Sequence, residues 1–278
     1  MPVVTISRQP GSLALDIAKI VSGRFNLELI GQEKIHDLAS DCDVRYKDAC
    51  LLYEKEVFTS FFERLMLDKP AYRALFEALH YELAARGGVI IIGRGAQFAF
   101  QGWKSVTMAR IVANRETRVA RIMAQQGISR GHAEDFDDHY ISKHRSVIHS
   151  IFEHDVRDAE LYDIILNTSF LTAEQGADIL CRVVEHKRNG PDLATEKAVF
   201  KRMAVGKRIE ATLRHEVSVP PYRQFTVTFN DDGRVEMHGF VEKKEDIEQA
   251  VRIAGEYPGV TSVDCHLRSL QSPYISAV

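Results

Sequence analysis

Val3-Val4-Thr5-Ile6-Ser7-Arg8-Gln9-Pro10-Gly11-Ser12-Leu13-Ala14-Leu15-Asp16-Ile17-Ala18 is the stretch that decides the fold. Val3 to Ile6 is a short β-branched apolar run, the pattern of a buried strand. Pro10-Gly11-Ser12 breaks it, and a helical pattern runs from Leu13 to Phe25. Strand, glycine turn and helix together make the geometry of a phosphate-binding loop. N–H groups of the turn and of the helix start point at an anion, and the helix dipole favours its charge. An ordinary buried strand–helix unit is the alternative reading of the same residues. The full pattern G-x-x-x-x-G-K-[ST] is not met. With Gly11 as the anchor, the glycine before the lysine is Leu13, the lysine position is Ala14, and Asp16 is the polar residue taken for the hydroxyl position.

The 278 residues around this stretch suffice for two domains and a sizeable core. Composition is that of an ordinary globular chain, 45% hydrophobic and 27% charged. A net charge of -3 argues against generic nucleic-acid binding, which needs a basic surface, and leaves room for a local basic pocket for phosphates. Cys42, Cys50, Cys181 and Cys265 are scattered and form no C-x-x-C pair, which speaks against a zinc or redox motif. Free thiols fit a reducing cytosol, no signal peptide is read at the start, and no apolar run approaches the ~20 residues of a membrane span. A cytoplasmic location is the expectation.

Residues 27 to 86 are mostly helical by pattern, with helices opening near Glu33, Ala49 and Pro70. Gly87-Gly88 ends the last of these. Val89 to Ile92 then reads as a central parallel strand with Gly93-Arg94-Gly95 at its carboxyl end, the edge where ligands bind in open α/β sheets. An arginine flanked by glycines there can approach a phosphate closely and grip it bidentately. Ser105 to Val112 is another strand. Asn114 opens a helix on which Arg115, Arg118 and Arg121 share one broad face, and Ser129 caps the next. Residues 130–158 are polar, with Lys143 and Arg145 near the centre, and read as solvated helix or as a mobile lid. Their histidines (His132, His139, His144, His149, His154) lack the i, i+4 spacing of a helical zinc site. Tyr162 to Thr168 is a further strand, and Thr172 to Lys187 an amphipathic helix that closes the domain.

Arg188-Asn189-Gly190-Pro191-Asp192 reads as a linker. Beyond it come a helix from about Glu196 to Glu216, a strand Phe225–Phe229, a turn at Asn230-Asp231-Asp232-Gly233 and a returning strand Val235–Val241. A helix Lys244–Tyr257 and a last strand Ser262–Leu267 complete an αββαβ module.

The first part resembles the cytidylate kinase-like family of P-loop nucleoside monophosphate kinases. The resemblance rests on Ile6-Ser7-Arg8, Gly11-Ser12 and Ile17-Ala18; on Ile92-Gly93-Arg94-Gly95-Ala96; on Arg118, Arg121 and Gly127-Ile128-Ser129; on Lys143-His144-Arg145; and on Leu161-Tyr162-Asp163 through Asn167-Thr168-Ser169. The C-terminal module resembles a BON domain through Val235 to Gly239, Val241, Ala250, Ala254 and Pro258-Gly259-Val260. Together these imply an α/β fold: a P-loop three-layer parallel sheet with helical insertion and lid over residues 1–187, a linker at 188–199, and a small α+β domain at 200–272.

The implied activity is phosphoryl transfer from ATP, with Mg²⁺, to CMP or a related monophosphate. By the resemblance Arg8, Gly11 and Ser12 hold donor phosphates, Asp16 holds Mg²⁺ through water, and Arg94 holds the acceptor. Arg118, Arg121 and Arg145 neutralise the transferring group. The family's Gly-Gly pair after Gly-Ser is Leu13-Ala14 here and its following arginine is Leu15, which predicts slow or absent transfer. The alternative is therefore a nucleotide-binding sensor working through its BON-like domain. The resemblance gives that module a phospholipid or small-molecule ligand; a dimerisation role, and with it a homo-oligomer, is the other reading.

Overall fold

The computed structural model describes residues 1–31, 34, 69–93, 95–190, 193–220 and 223–271. The expected helices near Glu33 and over Ala49–Leu67, and the candidate Arg94, lie outside the described residues. The chain divides into two compact units, Met1–Asp37 with Arg86–Lys197, and Leu38–Ala85 with Ala198–Val278.

The first unit is built on five parallel strands: β1 (Val3–Arg8), β2 (Glu28–Ile30), β3 (Val89–Ile92), β4 (Val106–Val112) and β5 (Ile164–Asn167), in the order β2-β3-β1-β4-β5. The apolar runs at 3–6 and 89–92 lie in the middle of this sheet, where both faces are covered. Strand alternation sends Val4, Ile6, Ile90, Ile92, Ala109, Ile111 and Leu166 to one face. There they meet Ile17, Ala18 and Val21 of α1 (Ala14–Phe25), and Ala177, Leu180 and Val184 of a later helix (Ala173–Arg188). Each such aliphatic side chain contributes roughly 1.5–3 kcal/mol on full burial. The opposite face of β1 and β4 is different, since Thr5 and Ser7 stand in register with Met108 and Arg110.

Helix ends in this unit follow their sequence signals. After the short helix α3 (Ala96–Ala99) and strand β4, helix α4 (Arg115–Gln126) is capped by Asn114, whose side chain accepts from Thr117 N at 2.8 Å, and ends on Gly127. Ser129 caps α5 (Arg130–Phe152). Thr172 and Gln175 form a reciprocal capping box on α6 (Ala173–Arg188). The expected strand Tyr162–Thr168 is shorter than its pattern: only Ile164–Asn167 pairs with β4, and Tyr162 turns its ring inward instead.

In the second unit the part of α7 (Leu193–Glu216) from Ala198 onward precedes a hairpin of β6 (Phe225–Phe229) and β7 (Arg234–Val241). Then α8 (Glu245–Gly255) crosses over to β8 (Ser262–Ser269), which pairs parallel to β7. Ile209, Leu213, Val227, Val235, Met237, Ala250 and Ala254 form its core. Helix α2 (Lys69–Arg86) places Lys69 to Ala85 in this unit, where the Tyr81 ring stacks on Phe200 and the Glu77 carboxylate accepts from Lys207 Nζ at 2.9 Å.

Candidate active site

The connection leaving β1 runs toward β2 on one side, and that leaving β4 runs toward β5 on the other. Adjacent strands with diverging connections open a crevice at their carboxyl ends. The loop 9–13, the start of α1, the segment 113–114 and Thr168 all lie at this edge.

The loop is tied down from behind. Ser12, 1% exposed, donates its hydroxyl to Gln9 O at 2.7 Å. Arg121 Nη1 donates to Gly11 O at 3.1 Å and to Thr168 Oγ1 at 3.0 Å, while its Nη2 donates to Thr168 O at 2.8 Å. Thr168 Oγ1 in turn donates to Ser12 O at 2.9 Å. The carbonyls of Gly11 and Ser12 therefore face the protein. In a trans peptide the next N–H points the opposite way, so those of Ser12 and Leu13 face outward. Helix α1 adds its own first N–H groups, because Leu13 at its N-cap supplies no side-chain acceptor. The result is a cradle of backbone donors at a helix N-terminus, an arrangement suited to a phosphate.

Two glycines are required. Gly11 has φ +63°, and a Cβ on it would lie 2.7 Å from Arg118 O. At Gly93, φ +76°, a Cβ would collide with Arg8 Nη1, so the Arg8 guanidinium lies directly over this glycine at the end of β3. Leu13, at φ 61°, also occupies the left-handed region that glycine enters freely. The loop thus keeps a glycine-like conformation at a position where this chain has leucine.

The remaining candidates divide. Arg118 is 7% exposed and forks onto Asp137, itself 0% exposed, with Nε–Oδ1 2.9 Å and Nη2–Oδ2 2.6 Å. Its Nη1 donates to Ala113 O at 2.6 Å and reaches Gln9 Oε1 at 3.5 Å. Arg118 thereby joins α4 to α5 and supports the loop from below. Arg121 is the arginine that holds a backbone carbonyl of the loop, and burial pulls its pKa down from 12.5. Arg145 is exposed on α5 and donates to Asp155 Oδ2 at 3.2 Å, away from the loop's hydrogen-bond network. Asp16 stands in the first turn of α1. Among the described residues no group of three or more His, Cys, Asp or Glu could hold a metal ion by itself.

Gln9, Asp137 and Thr168 carry this geometry and were not candidates from the sequence. Gln9 Oε1 accepts from Ala113 N at 3.1 Å, joining the ends of β1 and β4. Thr168 belongs to the N-T-S run that carries part of the family resemblance without being assigned a role, whereas nothing about Asp137 in a polar helix marks it as the buried partner.

A parallel sheet in this strand order, with a glycine loop leading from β1 into a helix, defines a P-loop kinase-like protein. The chain belongs to the cytidylate kinase-like family, whose model matches residues 3–170. Residues 205–271 match the BON domain. A cytidylate kinase from Pyrobaculum calidifontis is 22% identical over 193 residues, covering 67% of this chain and 97% of that protein. A solved but uncharacterised protein from Eubacterium ventriosum shares the fold, with 17% identity and a TM-score of 0.52 over 66% of this chain and 98% of its own. A shikimate kinase from Bacteroides thetaiotaomicron is 16% identical over 66% of this chain and 97% of its own, with a TM-score of 0.39.

Proposed function

We propose that this protein is a P-loop phosphotransferase that moves a phosphoryl group from ATP to CMP or a related nucleoside monophosphate. The observation that supports this best is the loop 9–13, its carbonyls drawn inward by Arg121 and Thr168 and its donors left for an anion. Catalysis in such sites is positioning and charge stabilisation rather than covalent chemistry. Gly11, Ser12 and Leu13 would hold donor phosphates through their backbone. Arg8, over Gly93, supplies the cation that the loop lacks at its lysine position. Arg121 fixes the loop and adds charge behind it. Arg118 holds α5 through Asp137, Arg145 lies on α5 as the lid's cation, and Arg94 is the acceptor residue that the family resemblance assigns.

Mg²⁺ is commonly held by one or two carboxylates together with substrate phosphates. A lone Asp16 carboxylate in the first turn of α1 fits a metal that arrives with the nucleotide. When bound, Mg²⁺ would offset phosphate charge, with Asp16 holding it through water.

A sensor is the second reading, and one observation favours it: Leu13 holds the left-handed conformation at φ 61° in place of glycine, beside Ala14 where a cation belongs. The test is formation of CDP from CMP and ATP with Mg²⁺, alongside calorimetry for both nucleotides. Turnover near ~1–100 s⁻¹, as for typical kinases, supports the enzyme. Tight binding without turnover supports the sensor. No binding of either nucleotide refutes both.

A further inference from the structure

Arg110 lies within β4 and is 6% exposed. Its hydrogen bond is from Nη1 to Ser7 Oγ at 2.9 Å, across the register pair that joins β4 to β1. Its guanidinium carbon sits 5.7 Å from the centre of the Tyr162 ring. Among the described residues no carboxylate pairs with it, whereas Arg118, the other arginine buried this deeply among them, has Asp137. A buried charge without a counter-charge is costly, and proteins keep one where something else supplies the opposite sign.

The surroundings are polar in the same sense. Gln97, 2% exposed on α3, donates to the Tyr162 hydroxyl at 3.3 Å, and that hydroxyl donates to Val156 O at 2.8 Å. Thr5, two residues before Ser7 on the same face of β1, has a buried hydroxyl with no hydrogen-bond partner among the described residues. Neutral polar groups thus gather around a cation that no carboxylate pairs among the described residues, on the sheet face opposite α1 and next to the carboxyl edge. Burial raises the Tyr162 phenol above its ordinary 10.0, so it stays a neutral hydroxyl at physiological pH.

We propose that Arg110, with Ser7, Gln97 and Tyr162 around it, is the binding site for the phosphate group of the acceptor. It lies across the sheet from the donor loop, so donor and acceptor would approach the carboxyl edge from the two faces of β1 and β4. This assignment rests on the phosphotransferase reading above and adds a specific acceptor contact to it. A guanidinium with donors to spare forks onto a phosphate, which a lysine ammonium cannot do.

The test uses the full chain with Arg110→Met and Arg110→Lys, measuring melting temperature without ligand and affinity for CMP, ATP and inorganic phosphate. Arg110→Met is expected to melt no lower than wild type, because it removes an unpaired buried charge. It should bind CMP roughly ten- to hundredfold more weakly, the loss of a charge-assisted contact, with ATP affinity unchanged. Arg110→Lys should fall between the two. If Arg110→Met binds CMP like wild type, melts well below it or fails to fold while Arg110→Lys folds and binds CMP normally, the guanidinium is structural and the proposal is overturned. If wild type binds neither nucleotide, the phosphotransferase reading fails separately. Inorganic phosphate then decides the subsite: a melting shift in wild type that Arg110→Met loses upholds it, and no shift overturns it.

Discussion

Replacing Leu13 tests the loop at its left-handed leucine. Leu13 holds φ 61°, a conformation that costs a side-chain-bearing residue roughly 1–2 kcal/mol. Leu13→Gly relieves that cost. Against it stand about 0.5–1 kcal/mol of added freedom in the unfolded chain and about 1 kcal/mol of burial, since Leu13 is half-buried against the core. The three nearly cancel, so Leu13→Gly should leave stability within about 1 kcal/mol of wild type. Leu13→Ala loses the same packing and keeps the strain. It should therefore be less stable than Leu13→Gly by about 1 kcal/mol, the reverse of the usual order in and around helices. Leu15→Gly is the control: Leu15 is 50% exposed within α1 and should lose about 1 kcal/mol with no compensation. Urea denaturation of the three variants reads these differences as midpoint shifts at constant slope. Leu13→Ala more stable than Leu13→Gly would mean that residue 13 is not left-handed in solution, and the account of the loop would fall.

Asp137→Ala should destabilise the protein by about 3–5 kcal/mol in urea, because Arg118 would stay buried without its partner. The double variant Asp137→Leu with Arg118→Met should recover most of that; a single-variant cost below about 1 kcal/mol would show that the pair is hydrated. Arg94→Ala should lose about 1.5–3 kcal/mol of CMP binding while keeping the fold, checked by calorimetry and circular dichroism, and unchanged affinity would remove it from the acceptor site. Stability should fall at alkaline pH, since burial raises the phenols of Tyr81 and Tyr162 above 10.0 in the folded chain. Their contribution is complete below that unfolded value and is lost as pH climbs through the folded ones, so a melting temperature that stays level well above pH 10 would contradict their burial.

The sheet was legible because β-branched runs such as Val89–Ile92 have few alternatives to a central strand, and the caps Asn114, Ser129 and Thr172 act through local hydrogen bonds that a short window contains. The site was legible only in part. Arg115, Arg118 and Arg121 share a helical face by spacing, yet they go to Asp138, Asp137 and the loop carbonyl of Gly11. Those partners lie 19 to 110 residues away, and helical periodicity says nothing about them. Arg110 was hidden for a related reason: within Val106–Val112 it reads as one polar residue in a strand, and its isolation from carboxylates is a property of the folded neighbourhood. Leu13 is a departure by the family resemblance alone, and its left-handed backbone belongs to the turn that follows Gly11 rather than to its own preference.

The central claim is that the loop 9–13 binds nucleotide phosphates through its backbone. Gly11→Ala tests it most directly, since a Cβ there meets the backbone carbonyl of Arg118 at 2.7 Å and the φ of +63° disfavours any side chain. Isothermal titration of the wild type and of Gly11→Ala with ATP and Mg²⁺ is the measurement. The wild type should bind, and the variant, while still folded by circular dichroism, should lose that binding. ATP binding of equal strength in both, or none in the wild type, would contradict the claim.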